Sequence, residues 1–325
     1  MTERKIKETS SGYYVSKDIA IIIPTRNRPE EVRRLLKSIY ELDCEIGRII
    51  IVASGQDIQK VVMKFKNILP VEYYSSERGQ IRQRNHGISL LGDSTKLVAT
   101  MDDDTTFKKT AVTEIIKFWN SVEPETAGVG FNIVNYPSHR HTWIRSIFGV
   151  SVPEPGRVLK SGFNTPITNI MKNIRTEWLN GGTTVWRQDI LKKYEHREIR
   201  SKWAVCEDLI YSYPIGKKYP MYICSNACVE IEDVVLRNPV NNVYKMRGIN
   251  LVLWQFYFVS SNKEMSVTLF VYRIILQTLI SLIKWSFHKD LSRFFFASGL
   301  LKGLFMVLGY IIKRGDLLDL IELKT

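Results

Sequence analysis

The sequence predicts an α/β protein in which strands of a layered sheet alternate with flanking helices, followed by a C-terminal helical region. Three observations carry this prediction. From Asp18 to about Ile231, short apolar runs alternate with amphipathic stretches, as they do where helices connect the strands of a sheet. The clearest of these runs end in polar clusters, at the edge where open α/β sheets bind ligands. After about Lys245 the alternation stops and two long apolar stretches take over. A chain of 325 residues, 45% apolar and 24% charged, has room for one large core and an appendage.

Ile19-Ala20-Ile21-Ile22-Ile23 is a continuous β-branched run closed by Pro24, the signature of a strand buried on both faces. After the loop 25–28, Pro29 and Glu30 open a helix whose apolar face is Val32, Leu35, Leu36 and Ile39. Ile49-Ile50-Ile51-Val52 reads as the second buried strand and Leu97-Val98-Ala99-Thr100-Met101 as the next. These features divide the chain into a polar tail over 1–17, an α/β domain over 18–244 and a helical region over 245–325.

The net charge of +13 calls for an anionic partner: nucleic acid, an anionic membrane or a phosphorylated substrate. The four cysteines, Cys44, Cys206, Cys224 and Cys228, complete no zinc pattern and read as ordinary thiols in a reducing compartment. The polar opening Thr2–Lys17 lacks the apolar stretch of a signal peptide, which predicts a cytoplasmic location.

Met101 is followed at once by Asp102-Asp103-Asp104. Three adjacent carboxylates repel one another and are kept together where cations neutralise them. Mg²⁺ or Mn²⁺ with oxygen ligands does this and binds a diphosphate at the same time. The bland alternative is a solvated acidic turn, and the position after a strand favours the cation.

Five ordered motifs set this region in a wider context. They are Ile21-Ile22-Ile23-Pro24-Thr25-Arg26-Asn27-Arg28; Glu77-Arg78-Gly79 through Arg84-Asn85-His86-Gly87; the aspartate run; Asn180-Gly181-Gly182-Thr183-Thr184 through Arg187; and Trp203 with Cys206-Glu207-Asp208. In this order they resemble the family 2 glycosyltransferases, over about Ile19 to Asp233. The resemblance implies the GT-A fold, a Rossmann-like mixed sheet with flanking helices, and inverting sugar transfer from a nucleotide-diphosphate donor. Carried over residue by residue, it implies donor contacts from Pro24, Thr25, Arg26, Asn27, Ser54, Arg78, Gly79, Arg84, Asn85, Asp102 and Asp103. Asp102 and Asp104 would hold the metal, and Gly181, Gly182 and Trp203 would meet the acceptor. Asp208, with Glu207 beside it, would take the proton of the attacking hydroxyl, since a carboxylate within hydrogen-bond reach can act as a general base.

Two departures stand out. The acid pair that often follows the family's second strand is replaced by Val52-Ala53-Ser54-Gly55-Gln56, leaving Ser54 or Gln56 to meet a base. No His follows the Glu-Asp motif near the domain's end, where Glu230, Glu232 and Asp233 stand instead. The Gln-x-x-Arg-Trp motif of processive synthases is also absent, which favours single additions.

Val267–Ile283 and Phe294–Ile312 approach membrane-spanning length, but each contains a basic residue, Arg273 and Lys302. On helices, Arg273, Gln277, Ser281 and Lys284 form one polar stripe, and Ser298, Lys302, Gly309 and Lys313 form another. Residues 245–325 carry eleven Lys plus Arg against five Asp plus Glu. Interfacial helices on the inner face of an anionic membrane fit this pattern, with a spanning hairpin or soluble core helices as alternatives. The acceptor expected is a saccharide or lipid-linked glycan, as in building a surface polysaccharide. Loading of a polyprenyl phosphate is the rival reaction. A basic nucleic-acid-binding module is the rival of another class; the acidic run and the lack of a nucleic-acid motif argue against it.

Overall fold

The computed structural model describes residues 13–139, 141, 143, 151–198, 205–232, 241–313 and 321. Its centre is a nine-stranded mixed sheet in the order β3-β2-β1-β4-β8-β6-β9-β5, with β7 pairing beside β9. The strands are β1 (Ile19–Arg26), β2 (Arg48–Ser54), β3 (Val71–Ser75), β4 (Leu97–Met101), β5 (Thr105–Phe107), β6 (Gly128–Ile133), β7 (Ile174–Arg175), β8 (Thr183–Arg187) and β9 (Met221–Ile231). The first four are mutually parallel, and β8 enters antiparallel to β4.

The helices are α1 (Pro29–Tyr40), α2 (Gln59–Met63), α3 (Gln80–Ser89), α4 (Ala111–Trp119), α5 (Gln188–Lys193), α6 (Glu207–Gly216), α7 (Asn241–Ser261), α8 (Val267–His288) and α9 (Leu291–Lys313). The α1 face read from the sequence, Val32, Leu35, Leu36 and Ile39, is fully buried against the sheet. Gly87 lets α3 lie directly on β1: a Cβ there would come within 2.5 Å of the Ile22 side chain.

Pro24 does not close β1 as expected. The strand continues to Arg26, pairing Pro24 with Val52. Its contact with β4 ends at Ile22, so the missing N–H of Pro24 deprives no strand of a ladder bond on that side. The polar tail is also shorter than expected. Tyr14 donates its N–H to Asn120 (2.8 Å), accepts from the Asn120 amide (2.9 Å), and sets its ring edge-on to Trp119.

Two cores sandwich the sheet, and a third joins the C-terminal helices to it. Leu209 and Tyr213 of α6 pack with Ile249, Val252 and Phe256 of α7, Phe270 and Ile274 of α8, and Leu300 and Val307 of α9. Gly248, Gly299 and Gly303 bring α7 and α9 close, since a Cβ on Gly299 would lie 2.1 Å from the Lys245 carbonyl. The helical region thus shares its core with a helix of the sheet domain. Its polar stripe is set differently from the expectation. Arg273, Gln277 and Ser281 are half-buried, and Arg273 lies over the Phe163 ring at 4.9 Å. The outer face is apolar instead: Leu279, Ile283 and Phe287 on α8, and Phe305, Leu308 and Ile312 on α9, are exposed.

Candidate functional site

The carboxyl ends of β1, β2 and β4 are tied together by buried polar side chains. Gln83, 3% exposed, donates to the carbonyls of Thr25 (2.7 Å) and Val52 (2.6 Å), bridging the carboxyl ends of β1 and β2, which stay paired as far as Arg26 and Ser54. It also accepts a long bond from Ser54 Oγ, 3.4 Å. Ser54, expected to meet the base, is therefore buried beneath the strand ends. Pro24 is likewise buried, whereas Arg26 and Asn27 are exposed. Asn27 adopts a left-handed backbone (φ 57°) that turns its Oδ1 to accept the Gln56 N–H at 2.7 Å.

The three aspartates divide by their partners. Asp103 is 6% exposed and turns inward, accepting from Thr25 Oγ1 (2.6 Å) and Arg28 Nη1 (2.8 Å). Asp104 shares the Arg28 guanidinium at 3.2 Å. Burial, then the charges of Asp102 and Asp103, pushes its carboxyl up to about 6 despite that partner. Asp102 is held from α3 instead, accepting from Gln80 Nε2 (2.8 Å) and Arg84 Nη2 (2.7 Å).

Arg84 is the hub of the site. It is 2% exposed, and its Nη1 also reaches Glu207 at 3.3 Å. Burial alone would depress its basicity, but Asp102, Glu207 and Asp208 together outweigh that and raise it. The expectation that Arg84 contacts the donor needs correction. Its guanidinium is committed to carboxylates inside the protein, because a buried ion is tolerated only when paired.

Glu207 and Asp208 open α6, where a helix N-terminus favours negative charge. The residue before them, Cys206, is left-handed (φ 67°), a conformation uncommon outside glycine. Its thiol donates to Gln255 Oε1 of α7 at 3.0 Å, and the Gln255 amide donates to the Gly162 carbonyl. A side chain of the C-terminal region thus holds the turn that presents both acids. Burial raises both carboxyls and Arg84 opposes the rise; the Gly181 N–H lowers Asp208 further.

Gly181 and Gly182 sit beneath these groups. A Cβ on Gly182 would lie 2.0 Å from Asp102 Oδ2, and one on Gly181 would lie 2.3 Å from Asp208 Oδ1. The sequence reading left this space for a sugar. In the structure the two carboxylates fill it, so the glycines make room for Asp102 and Asp208.

Other expected residues lie further out. Arg78 is exposed, and Gly79 takes a positive φ of 147° just ahead of α3. Asn85 points away from the aspartates and donates to the His196 carbonyl at 2.8 Å. Glu230 pairs with Lys108 (2.6 Å) and Glu232 with Arg34, and both line a cavity with Asp103 and Asp104, where the Glu232 N–H donates to the Asp104 carbonyl at 2.9 Å. Trp203 and Asp233 lie outside the described residues. Sequence reasoning missed Arg28, Gln80, Gln83 and Gln255. For three of them a signal existed: Gln80, Gln83 and Arg84 share a helical face at spacings of three and four, and Arg28 stands in the quoted loop motif.

Among the described residues, no three His, Cys, Asp or Glu side chains form a protein-only metal cage. Asp102 and Asp104 offer oxygen donors from two carboxylates. That is the donor set of a Mg²⁺-type ion completing its shell with phosphate and water.

The model of glycosyl transferase family 2 matches residues 20–195. No curated protein sequence matches the chain. Among solved structures, the mannosyltransferase PcManGT from Pyrobaculum calidifontis, determined with GDP-Man and Mn²⁺, superposes with a TM-score of 0.56 at 14% identity. The match covers 88% of this chain and 87% of that one. TarS 1-349 from S. aureus aligns at a TM-score of 0.47 and 13% identity, covering 87% of this chain and 91% of its own.

Proposed function

Since the chain belongs to glycosyl transferase family 2 and is a glycosyltransferase with the GT-A fold, we propose that it moves a sugar from a nucleotide-diphosphate donor to a hydroxyl of a lipid-linked glycan or surface-polysaccharide precursor. The observation that carries this reading is the convergence on Arg84. Asp102 from the end of β4 and Glu207 from the start of α6 meet one buried guanidinium, with Asp208 beside them. Carboxylates for the donor side and for the acceptor side are thereby fixed to a single point.

Asp208 acts as general base in this scheme. Burial lifts its carboxyl towards the pH at which a base works well, and Arg84 and the Gly181 N–H limit the rise. The acceptor hydroxyl gives its proton to Asp208 as its oxygen attacks the anomeric carbon from the face opposite the leaving diphosphate. That direction of attack inverts the anomeric centre. Arg84 keeps Asp208 oriented and, with Gln80, holds Asp102 towards the donor.

Asp102 and Asp104 would hold Mg²⁺ or Mn²⁺. Burial first, and then the negative charges of Asp102 and Asp103, raise the Asp104 carboxyl, and a divalent cation relieves the charge part of that rise. When bound, such an ion supplies charge neutralisation for the departing nucleotide diphosphate.

The helices α8 and α9 support a place on the cytoplasmic face of a membrane. Both are long and apolar enough to cross one, with mean hydropathies of 1.6 and 1.8, and their outer faces are exposed and apolar. Lys284, Lys289 and Arg293 cluster at the turn between them, where anionic headgroups would be met. We read them as lying in the interface, because Lys302 is exposed midway along α9.

The donor half of the proposal is tested by calorimetric titration of GDP and UDP with and without Mn²⁺. Cation-dependent binding of one of them supports it. Binding of neither, in the presence of Mn²⁺, contradicts it.

A further inference from the structure

Glu207 and Asp208 stand on a turn that α6 does not fix by itself. An N-cap side chain ordinarily accepts a hydrogen bond from the first turn of its own helix, and Ser, Thr, Asp and Asn serve there. Cys206 holds that position and makes no such bond. Its backbone is left-handed, and its thiol donates instead to Gln255 Oε1, 49 residues further along the chain. Burial, and then the charge of Asp208, pushes the thiol pKa up to about 12, so the proton that makes this bond stays on sulfur. A non-glycine residue keeps such a backbone where its surroundings over-determine it.

Gln255 is 1% exposed, and Leu253, Trp254, Phe256, Phe258 and Val259 around it on α7 are buried and apolar. A buried amide is tolerated where its polar atoms are paired, whereas an apolar side chain would fill the same space without that requirement. Here both ends are paired: Oε1 takes the Cys206 thiol, and Nε2 donates to the Gly162 carbonyl.

The anchor at Gly162 is held in its turn. Its φ is +82°, and a Cβ there would fall 2.4 Å from Val259 Cγ2, so glycine lets this backbone reach α7. Two bonds of 2.7 Å close the turn, from the Gly162 N–H to the Leu159 carbonyl and from the Leu159 N–H to the Phe163 carbonyl. The start of α8 grips the same turn. The Ser266 N–H donates to the Lys160 carbonyl at 2.8 Å, and Arg273 lies over the Phe163 ring.

We propose that Gln255 is a positioning residue for sugar transfer, setting Glu207 and Asp208 through Cys206 and the Gly162 turn, so that the C-terminal helical region is part of the active site. Gln255 lies outside residues 20–195, the stretch that the family model matches. The inference rests on the reading of Asp208 as general base. Misplacing a reacting group by about 1 Å can cost about 10²-fold in rate. Loosening the turn therefore lowers turnover, while a donor held at Asp102 and Asp104 binds as before.

The test compares the full-length wild type, Gln255→Met, Cys206→Ala and the double variant. Turnover is read as nucleotide diphosphate released from a panel of nucleotide sugars, with Mn²⁺ and methyl glycoside acceptors. Gln255→Met keeps the length of the side chain but cannot donate to Gly162. Its kcat should fall by about 10- to 100-fold, with the donor KM and the calorimetric affinity for GDP or UDP unchanged. The double variant should lose no more than Gln255→Met, since the two residues act through one bond. Amide hydrogen exchange in Gln255→Met should quicken over 207–213 and stay slow over 249–254 of α7. A wild-type kcat in Gln255→Met would overturn the inference. So would a fall in kcat matched by lost nucleotide affinity and faster exchange throughout α7, which marks a role in stability alone. Where no sugar in the panel is transferred, exchange over 207–213 decides: quickened, it upholds the hold of Gln255 on the turn, and unchanged, it overturns it. Asp208→Asn separates the two readings. If it loses transfer while Gln255→Met keeps it, the base stands and the positioning role is gone. If it keeps transfer while Gln255→Met loses it, Gln255 still positions the turn and the base is another group.

Discussion

Gly182 lies directly beneath Asp102: the Cβ that any other residue would carry there falls 2.0 Å from Asp102 Oδ2. The contact fixes where the carboxylate can stand. Its backbone is tied to the same place, since the Asp102 N–H donates to the Gly182 carbonyl at 2.9 Å. Gly182→Ala should displace the Asp102 side chain from Gln80 and Arg84 while the sheet stays intact. Nucleotide binding in Mn²⁺ should fall at least about tenfold, with little change in far-ultraviolet circular dichroism. Unchanged affinity would separate Asp102 from the donor. The tenfold figure corresponds to about 1.4 kcal/mol.

Arg84 holds the two halves of the site by charge. Removing one partner of a buried ion pair leaves uncompensated charge and typically costs about 3–5 kcal/mol. Arg84→Met should therefore lower unfolding stability by an amount in that range, read by urea denaturation. Arg84→Lys keeps the charge but loses the fork that spans Asp102 and Glu207, so it should recover stability only in part. A loss below about 1 kcal/mol for Arg84→Met would show that the hub is not buried as described.

The strand and helix pattern was readable because a continuous apolar run or a period of 3.6 leaves its mark directly in the residues. The runs at Ile19, Ile49 and Leu97, and the α1 face, stand where the sequence puts them. The pairing of side chains was not readable, because it depends on where distant segments meet. Arg84 offers the same guanidinium to a diphosphate or to Asp102 and Glu207, and only the fold decides between them. Nothing in the spacing of Gln83 tells that it bridges the Thr25 and Val52 carbonyls of two distant strands. Gly181 and Gly182 were singled out for the right reason, close approach, but the groups approaching are Asp208 and Asp102. The polar stripe on α8 was legible as a stripe, yet nothing in its spacing told which face the protein covers.

The Asp104 carboxyl gives a pH dependence. Its folded value of about 6 lies above that of an unfolded aspartate, about 3.9. Between these values the native state holds a proton that the unfolded chain has released. The stability from this group is therefore complete below about pH 3.9 and is lost as pH rises through about 6. A cation at Asp102 and Asp104 competes with that proton. Mn²⁺ should raise the melting temperature more at pH 7.5 than at pH 5, and Asp104→Asn should abolish the difference. Equal shifts at both pH values would remove Asp104 from the cation site.

The C-terminal helices should bring the protein to anionic liposomes in flotation, and less so as salt screens the basic residues. Phe287 and Phe305 are 81% and 71% exposed, so Phe287→Asp with Phe305→Asp should reduce flotation without unfolding the protein. Flotation that survives both high salt and carbonate would instead indicate a spanning hairpin.

The central claim is that Asp208 takes the proton of an acceptor hydroxyl while Asp102 and Asp104 serve the donor. It is tested most directly by released nucleotide diphosphate from a panel of nucleotide sugars, with Mn²⁺ and a set of glycoside acceptors, for the wild type and Asp208→Asn. The account predicts acceptor-stimulated release by the wild type from at least one donor. Asp208→Asn should lower it by about 10²–10⁴-fold, with donor affinity retained. Acceptor-stimulated release at the wild-type rate by Asp208→Asn would contradict the claim.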